Sequence, residues 1–233
     1  MVQSSLEVRE KVLGHEHSST LSSMSNLAQV LDRQGKYKEA EAMDRQELEC
    51  TQKVLGPEHP DTLTSMSNLA GVLDSQGKYK EAEAMNRQTM AWREKVLGPE
   101  HPDTLTSMGN LAQVLSSQGK YKEAEVMDRQ TLAWSEKVLG PEHPHMLTSV
   151  YCLAHLLTSQ RRCEYALALY QRACSVYEVV LGKDHPTTPE HPSQSTLLPT
   201  TVDSSTSMRK GKESKLPRGL AMIGIRSSKQ LAR

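Results

Sequence analysis

Apolar residues in the middle of the chain fall into two stripes of helical period. Over residues 60–75 they recur every three or four positions, at Leu63, Met66, Leu69, Ala70 and Leu73. A second stripe follows over residues 79–97, at Tyr79, Ala82, Met85, Thr89, Trp92 and Val96. Gly77 lies between the stripes, where a residue in the left-handed conformation would end the first helix. The pattern predicts two antiparallel helices joined by a short turn.

The same pattern returns every 42 residues. A glycine followed three positions later by a histidine marks each return, at Gly14/His17, Gly56/His59, Gly98/His101, Gly140/His143 and Gly182/His185. Residues 56–97 and 98–139 differ at only seven positions. A period of this size is typical of stacked helical repeats, in which each helix pair buries its apolar stripe against its neighbours. The sequence therefore predicts an all-α solenoid of antiparallel helix pairs.

The period divides the chain into three segments. Residues 1–17 match the end of a second helix, which indicates a truncated upstream repeat, a fragment of a longer array, and an uncovered apolar face that offers a surface for self-association. Residues 18–186 hold four repeats, with helix pairs expected at 18–55, 60–97, 102–139 and 144–181. Residues 187–233 are rich in Ser, Thr and Pro and then basic, a composition that predicts disorder.

Charge and composition disfavour several classes of protein. Lys+Arg and Asp+Glu both number 28, so the formal charge is zero, which argues against a protein that binds nucleic acid or membrane surfaces through basic charge. The N-terminus does not read as a signal peptide, and no stretch approaches the roughly 18 apolar residues of a membrane helix. The four cysteines have no CxxC spacing, so we expect buried free thiols and a reducing, cytoplasmic location.

Two recurring patterns invite a chemical interpretation. His59, His101 and His143 each follow a Glu in a P-E-H-P connector, but one His and one Glu per repeat cannot complete a tetrahedral metal site. We interpret these histidines as connectors between helices. Glutamates recur in pairs near the start of the second helices, where they support the helix macrodipole, at Glu39/Glu41, Glu81/Glu83 and Glu123/Glu125. Because phosphate loops and nucleophile turns are also absent from the sequence, we expect no enzyme, no metal and no cofactor.

The sequence pattern of the repeat resembles that of a known family. A large residue, then Asn-Leu-small, then Gly-x-Tyr-x-x-Ala, is similar to the tetratricopeptide repeat pattern, whose signature places are taken by Met66, Leu69, Ala70, Leu73, Gly77, Tyr79 and Ala82. The usual unit has about 34 residues. This longer unit and its L-G-x-x-H-P connector resemble the repeats of kinesin light chains and of fungal kinesin-light-chain-like arrays, over about residues 1–185. The resemblance implies a right-handed superhelical solenoid that binds a protein or peptide in its concave groove.

The resemblance also indicates which residues face that groove. In such arrays the first helix of each pair lines the concave face, and the Asn before the Leu contacts the ligand backbone. The corresponding partner-binding residues here are Asn26, Asn68, Asn110, Gln29, Gln113, Asp32, Asp74 and Arg33. Amides donate and accept, so a row of asparagines suits an extended peptide; the alternative is that they cap or bridge neighbouring helices. Arg33 is the lone cation, which disfavours a co-chaperone that clamps a C-terminal carboxylate.

Three functions follow as hypotheses. The first is a non-catalytic protein–protein interaction scaffold. The second is a kinesin-light-chain-like adaptor between motor and cargo, which needs a heptad coiled coil that this sequence does not contain. The third is the repeat sensor portion of a nucleotide-binding signalling switch, which needs a phosphate loop that this sequence also does not contain. RNA binding by helical repeats is disfavoured by the neutral charge.

Overall fold

A computed structural model describes residues 2–140 and 143–181 of the chain. All regular structure in these residues is α-helical. The helices are α1 (Val2–Leu13), α2 (Ser18–Arg33), α3 (Tyr37–Leu55), α4 (Pro60–Ser75), α5 (Tyr79–Leu97), α6 (Pro102–Ser117), α7 (Tyr121–Leu139), α8 (Pro144–Ser159) and α9 (Cys163–Leu181). The Gly182/His185 pair and the tail at 187–233 lie outside the described residues.

The helices form two compact units. The first ends at Lys120 and contains α1 to α6, in which each helix packs against the next. The second begins at Tyr121, and there α7 packs on α8 and α8 on α9. We call α2, α4, α6 and α8 the first helices, and α3, α5, α7 and α9 the second helices. The predicted all-α repeat architecture is confirmed.

Histidines begin the first helices of the first unit. The Nδ1 atom of His59 accepts a hydrogen bond of 3.1 Å from the backbone N–H of Asp61. The Nδ1 atom of His101 accepts the equivalent bond from the N–H of Asp103 at 3.2 Å. His17 repeats the contact with Ser19. Such a side-chain acceptor satisfies an N–H group that has no partner within the helix. These histidines therefore connect helices, as the sequence predicts.

Left-handed residues end the first helices. Gly77 has a φ of 80°, and the N–H of Lys78 donates to the carbonyl of Leu73 at 2.9 Å. This is the Schellman arrangement, which satisfies carbonyl groups at the end of the helix. The corresponding place in the second unit is held by Arg161, whose φ is 60°. A side chain with a Cβ atom is strained in this conformation.

Replacing Arg161 with Gly is therefore expected to stabilise the second unit by about 0.5–1 kcal/mol, since relief of the left-handed strain exceeds the added entropy of the unfolded chain. Urea unfolding followed by circular dichroism measures the difference. The matched change, Gly119→Ala, introduces a Cβ at a φ of 80° and should destabilise the chain. A lower unfolding midpoint for Arg161→Gly would contradict the strain.

The core follows the predicted stripes. In the first unit Leu63, Met66, Leu69 and Leu73 pack together with Leu48, Ala82 and Val114. In the second unit Val150, Leu153 and Leu157 belong to one buried cluster. Two sets of alanines recur once per repeat and are buried: Ala28, Ala70, Ala112 and Ala154, and Ala40, Ala82, Ala124 and Ala166.

Helix α1 has both exposed and buried apolar residues. Val8 is 60% exposed, whereas Cys50 and Trp92, at the same repeat position of α3 and α5, are half-buried. Leu6 on the same helix is buried against α2. Self-association through α1 stays a prediction. Among the described residues, none of the helices has the length and apolar character needed to span a bilayer.

Candidate functional site: the groove face of the first helices

The first helices of the first unit lie on the inner side of its stack. Helix α2 packs against α4, and α4 against α6, in addition to their contacts with the second helices. The second helices α3 and α5 do not pack against each other in this way. When one layer of helices is packed more closely than the other, the stack curves towards the closer layer. The unburied side of α2, α4 and α6 is therefore concave, and we call it the groove face.

Helical periodicity places polar residues on this face. In α4 the buried stripe includes Leu63 and Leu73. The opposite stripe holds Asp61, Thr64, Asn68, Gly71 and Ser75, whose spacing of three or four residues keeps them on one side of the helix. The same positions in α6 are Asp103, Thr106, Asn110, Gln113 and Ser117. All eight residues predicted for partner binding lie on α2, α4 or α6.

The three asparagines of the predicted row have different environments. Asn26 is exposed on α2. The side-chain amide of Asn68 donates to the hydroxyl of Ser25 at 3.1 Å, so this asparagine bridges α4 to α2. The Asn110 side chain is half-buried on α6. The bridging alternative thus applies to Asn68, while contact of the row with a ligand stays a prediction.

The other predicted residues flank this row. Gln29 and Gln113 are half-buried at equivalent positions of α2 and α6, and Gly71 takes that position on α4. Asp32 and Asp74 are half-buried in the last turns of α2 and α4. Arg33 is exposed beside Asp32. One carboxylate oxygen of Asp32 and one of Asp74 are buried, and Asp32 acts on Asp44 of α3, so these two aspartates do not lie in the stripe of the groove face. The other predicted residues give this face an amide-rich floor with Arg33 at one end.

Two glycines inside helices open space on this face. A Cβ atom added to Gly71 in α4 or to Gly109 in α6 would meet nothing within 4 Å. Packing within the protein therefore does not require glycine at either place. A glycine inside a helix costs about 1 kcal/mol relative to alanine. Glycine also lets another backbone approach closely, which is a property of a binding surface.

A bridge between neighbouring repeats was missed by the sequence interpretation. Glu41 of α3 accepts hydrogen bonds from Lys78 at 2.8 Å and from Gln76 at 2.7 Å, both in the turn of the next repeat. Arg45 adds a third at 2.8 Å. Burial alone would raise the pKa of Glu41, but these three donors outweigh it and lower the pKa to about 2.

The same bridge recurs along the chain. Glu83 contacts Lys120 at 2.9 Å and Gln118 at 2.7 Å, and hydrogen bonds from Lys120, Gln118 and Arg87 lower its pKa to about 2. In the second unit Glu125 contacts Arg162 at 2.8 Å. The assignment of the glutamate pairs to the macrodipole is therefore corrected for Glu41, Glu83 and Glu125, which tie one repeat to the next. The signal in the sequence was the Gln-x-Lys or Gln-x-Arg that follows each of them 35 and 37 residues later.

Buried acidic residues are a second unpredicted feature. Asp44 of α3 is only 2% exposed. Burial, with the nearby charges of Glu47 and Asp32, raises the pKa of Asp44 to about 7. Burial likewise raises the pKa of Asp128 to about 7. The equivalent residue of α5 is Asn86, whose amide donates to the carbonyl of Asn110. The fold therefore accommodates a neutral side chain, that of Asn86, at the position that Asp44 and Asp128 occupy in other repeats.

One buried cation joins two of the first helices. Arg93 of α5 is 6% exposed and donates to the carbonyl of Asp103 at 3.1 Å and to the hydroxyl of Ser107 at 2.9 Å, both on α6. It also donates to the hydroxyl of Thr64 on α4 at 3.4 Å. Burial lowers the pKa of this guanidinium. Arg93 fixes the spacing of α4 and α6 from behind the groove face.

The groove face lacks the donor set of a metal site. In the described part of the chain, no group of three or more His, Cys, Asp or Glu side chains is arranged to hold a metal ion. The polar side chains of the groove face instead recur with the repeat. Such an arrangement suits an extended ligand that makes similar contacts at each repeat.

Comparison with known proteins agrees with the repeat architecture. The family model of the tetratricopeptide repeat matches residues 1–53, 33–95, 76–137 and 118–178. No curated protein matches the chain in sequence.

Three examples of solved structures that resemble the fold follow. A candidate kinesin light chain of Podospora anserina with nearly identical TPR-like repeats is 29% identical with a TM-score of 0.62, over 77% of this chain and 85% of that one. BtubC (BKLC) of P. vanneervenii is 19% identical with a TM-score of 0.65, over 81% of this chain and 74% of that one. A Rap protein complexed with competence and sporulation factor is 16% identical with a TM-score of 0.64, over 76% of this chain and 47% of that one. The last two show similarity of fold alone.

Proposed function

Because the chain belongs to the tetratricopeptide repeat family, we propose that it is a non-catalytic scaffold that holds an extended protein segment on the groove face. The observation that carries this proposal is the side of α2, α4 and α6 that lies away from the buried stripes. It presents hydroxyl and amide side chains at matching positions of successive repeats. Such groups bind the backbone of a partner whatever its sequence.

Two further features support the proposal. The helical glycines Gly71 and Gly109 leave room for a partner backbone at a cost to helix stability. A solved structure with a similar fold is a Rap protein complexed with competence and sporulation factor, so a solenoid of this fold binds another molecule. We also place the protein in the cytoplasm, since all four cysteines are free thiols.

A motor adaptor is the second candidate function. The observation that favours it is the similarity in sequence and fold to the candidate kinesin light chain of Podospora anserina. An adaptor of this kind would use the same groove face for its cargo. The two candidates differ in whether a motor heavy chain is among the bound proteins.

Changing Asn26, Asn68 and Asn110 together to Ala is expected to weaken partner capture while leaving the free energy of unfolding within about 1–2 kcal/mol, because the main loss within the protein is the hydrogen bond from Asn68 to Ser25. The measurement is affinity capture from a lysate of the source organism with the full chain, followed by mass spectrometry. The matched control changes a row with the same period that is exposed on the second helices, namely Gln46, Gln88 and Gln130, to Ala. Equal capture by both triple variants would place the binding surface elsewhere.

A further inference from the structure

We propose that the end of the first unit formed by α1 and α2 is a second interaction surface, which binds a helix–turn segment of a partner protein. This segment has a helix with an apolar stripe and two hydroxyl side chains, followed after a tight turn by a glutamate. The inference goes beyond the proposed scaffold function, because it concerns a different surface. It rests on the other repeats of the unit, which show what each position of this end contacts when a helix covers it.

Helix α2 has an open side. Helix α4 packs against α2 on one side and against α6 on the other. In the described part of the first unit, α2 has such a neighbour among the first helices on one side, that of α4. We call the opposite side of α2, with the adjoining surface of α1, the end face. The residues of the end face that carry the argument are Val8, Arg9, Asn26, Gln34 and Lys36.

Helix α1 packs on α2 in the way that α5 packs on α6. Arg9 of α1 donates to the carbonyl of Ser19 at 3.0 Å and to the hydroxyl of Ser23 at 2.6 Å. Arg93, which lies two repeat periods later in the sequence, makes the equivalent two contacts with α6. Because α4 covers α5, its contacts show which groups a helix beside α1 must carry.

The end face has an exposed apolar position that a first helix covers in other repeats. Cys50 of α3 packs against a buried cluster that includes Leu21 and Met24 of α2. Trp92 of α5 packs in the same way against the cluster of α4. The equivalent residue of α1 is Val8, which is 60% exposed. A bound helix that buries Val8 therefore needs an apolar stripe like those of α2 and α4.

Two donors of the end face indicate hydroxyl groups on the bound helix. Arg93 donates to the hydroxyl of Thr64 on α4 at 3.4 Å, and the Asn68 amide donates to the hydroxyl of Ser25 on α2 at 3.1 Å. The equivalent donors at the end face are Arg9 and Asn26, and both are exposed. In the repeat register their acceptors correspond to residues 64 and 67, three positions apart on one side of a helix.

The turn after α2 indicates a carboxylate. Gln76 and Lys78, in the turn after α4, bind Glu41 of the preceding repeat at 2.7 Å and 2.8 Å. Gln34 and Lys36 occupy the same places after α2, and both are exposed. The turn itself has the same geometry, since the N–H of each lysine donates to a leucine carbonyl at 2.9 Å.

Lys36 is only weakly engaged within the protein. Its ammonium group lies 3.9 Å from Glu39, and both side chains are more than half exposed, at 51% and 62%. An exposed pair of this kind contributes little to stability. The bridge seen at three later turns, where Glu41, Glu83 and Glu125 are the acceptors, shows that a glutamate fits this place.

A segment of the chain itself has all of these features and provides the probe. Residues 60–83 contain the apolar stripe of α4, Thr64 and Ser67, the turn, and Glu83. Asn86 is the repeat equivalent of Val2, where α1 begins, so a segment that ends at Glu83 does not overlap α1.

Fluorescence anisotropy with a labelled peptide of residues 60–83 tests the proposal on the full chain. The peptide is expected to bind saturably, with one peptide per chain, whereas a scrambled peptide of the same composition is not. Gln34→Ala with Lys36→Ala should weaken binding by about five- to thirtyfold, the value of two partly exposed polar contacts. The matched control is Lys38→Ala, which removes a charge from an exposed position of α3 outside the end face.

A double-mutant cycle identifies the carboxylate that the turn binds. Glu83→Gln in the peptide should weaken binding to the unmodified chain. It should have little further effect on the variant without Gln34 and Lys36, because both changes remove the same contact. The control peptide carries Glu81→Gln, which removes the same charge at a position outside the bridge. Its affinity should match that of the unmodified peptide.

Two further variants separate the end face from the groove face and from a fold defect. Val8→Ser should weaken the peptide but leave Tm almost unchanged, since Val8 is largely exposed in the free chain. Asn68→Ala with Asn110→Ala alters the groove face and should leave peptide binding unchanged.

Several outcomes overturn the proposal. Absence of saturable binding does so, as do additive effects in the double-mutant cycle. Loss of peptide binding in the Asn68 and Asn110 variant would place the peptide on the groove face instead. Analytical ultracentrifugation of the chain alone covers the remaining occupant: a dimer that the peptide dissociates would assign the end face to a second copy. None of these results bears on lysate capture through the groove face, so the scaffold function is tested separately.

Discussion

Replacing Leu69 with Ala is expected to lower the free energy of unfolding by about 2–5 kcal/mol, the range for a large buried aliphatic side chain. Leu69 is 1% exposed and packs in the cluster that joins α3, α4, α5 and α6. The substitution removes apolar contacts from all of these helices and leaves a cavity between them. Leu111→Ala, at the equivalent position of α6 and fully buried, should have a similar effect.

Urea unfolding measures the loss, and hydrogen exchange locates it. In a solenoid each repeat is stabilised by its neighbours. Relative to the unmodified chain, the Leu69 variant should therefore show a larger increase in the exchange rates of amides in α3 to α6 than in α1. Val54→Ala is the matched control, because Val54 is 47% exposed and its truncation should change stability by less than about 0.5 kcal/mol. An unfolding midpoint equal to that of the unmodified chain would show that Leu69 is not a core residue.

Replacing Asp44 with Asn is expected to stabilise the chain by about 2–4 kcal/mol at about pH 8, with little change at about pH 4. The pKa of Asp44 is about 7 in the folded protein against 3.8 as the ordinary value. Between these values the folded chain binds a proton that the unfolded chain does not. Stability therefore falls as the pH rises from about 4 to about 7 and is constant above. Asparagine mimics the protonated acid and removes this fall.

The environment of Asp44 explains the size of the effect. Asp32 of α2 adds its charge, and Glu47 lies one turn along α3, where it accepts a hydrogen bond of 2.8 Å from Ser65 of α4. Burial raises the pKa of Glu47 too, so part of the pH dependence should remain in the variant. Buried carboxylates that lie close together favour protonation.

The repeat offers a reciprocal control for Asp44. Asn86→Asp places the same acid at the equivalent position of α5, which is 2% exposed, and should introduce a fall in stability between about pH 4 and about pH 7. Thermal unfolding across this range measures both variants. If the stability of Asp44→Asn and that of the unmodified chain changed with pH in parallel, the raised pKa of Asp44 would be contradicted.

The helices and their turns could be predicted from the sequence because their causes are local. The stripe from Leu63 to Leu73, the left-handed place of Gly77 and the period of 42 residues each depend on neighbouring residues or on exact repetition. The capping role of His59 and His101 followed from their position between helices. The residues predicted for partner binding lie on the first helices because helix positions are set by the same local pattern. Their contact with a partner stays a prediction.

Features that depend on the next repeat could not be read in this way. Glu83 looks like any acidic residue at a helix start, and its partners Gln118 and Lys120 are 35 and 37 residues away. Asp44 stands beside Arg45 in a polar stretch that resembles a solvated face, yet stacking of α4 buries it. In the next repeat the equivalent residue is Asn86, and this loss of the charge is the sign in the sequence that the position is buried. Whether the asparagine row contacts a ligand depends on a molecule that the sequence does not describe.

The glutamate bridge bears on how an array of this kind can change length. Each of the first three copies of the 42-residue unit carries a glutamate on its second helix and the matching Gln and Lys in its turn, as Glu83 with Gln76 and Lys78 illustrate. A unit that is copied or deleted within a gene therefore meets compatible partners on both sides without any further mutation. Natural selection can lengthen or shorten the binding surface in single genetic steps. The near-identity of residues 56–97 and 98–139 is the record expected of such a step.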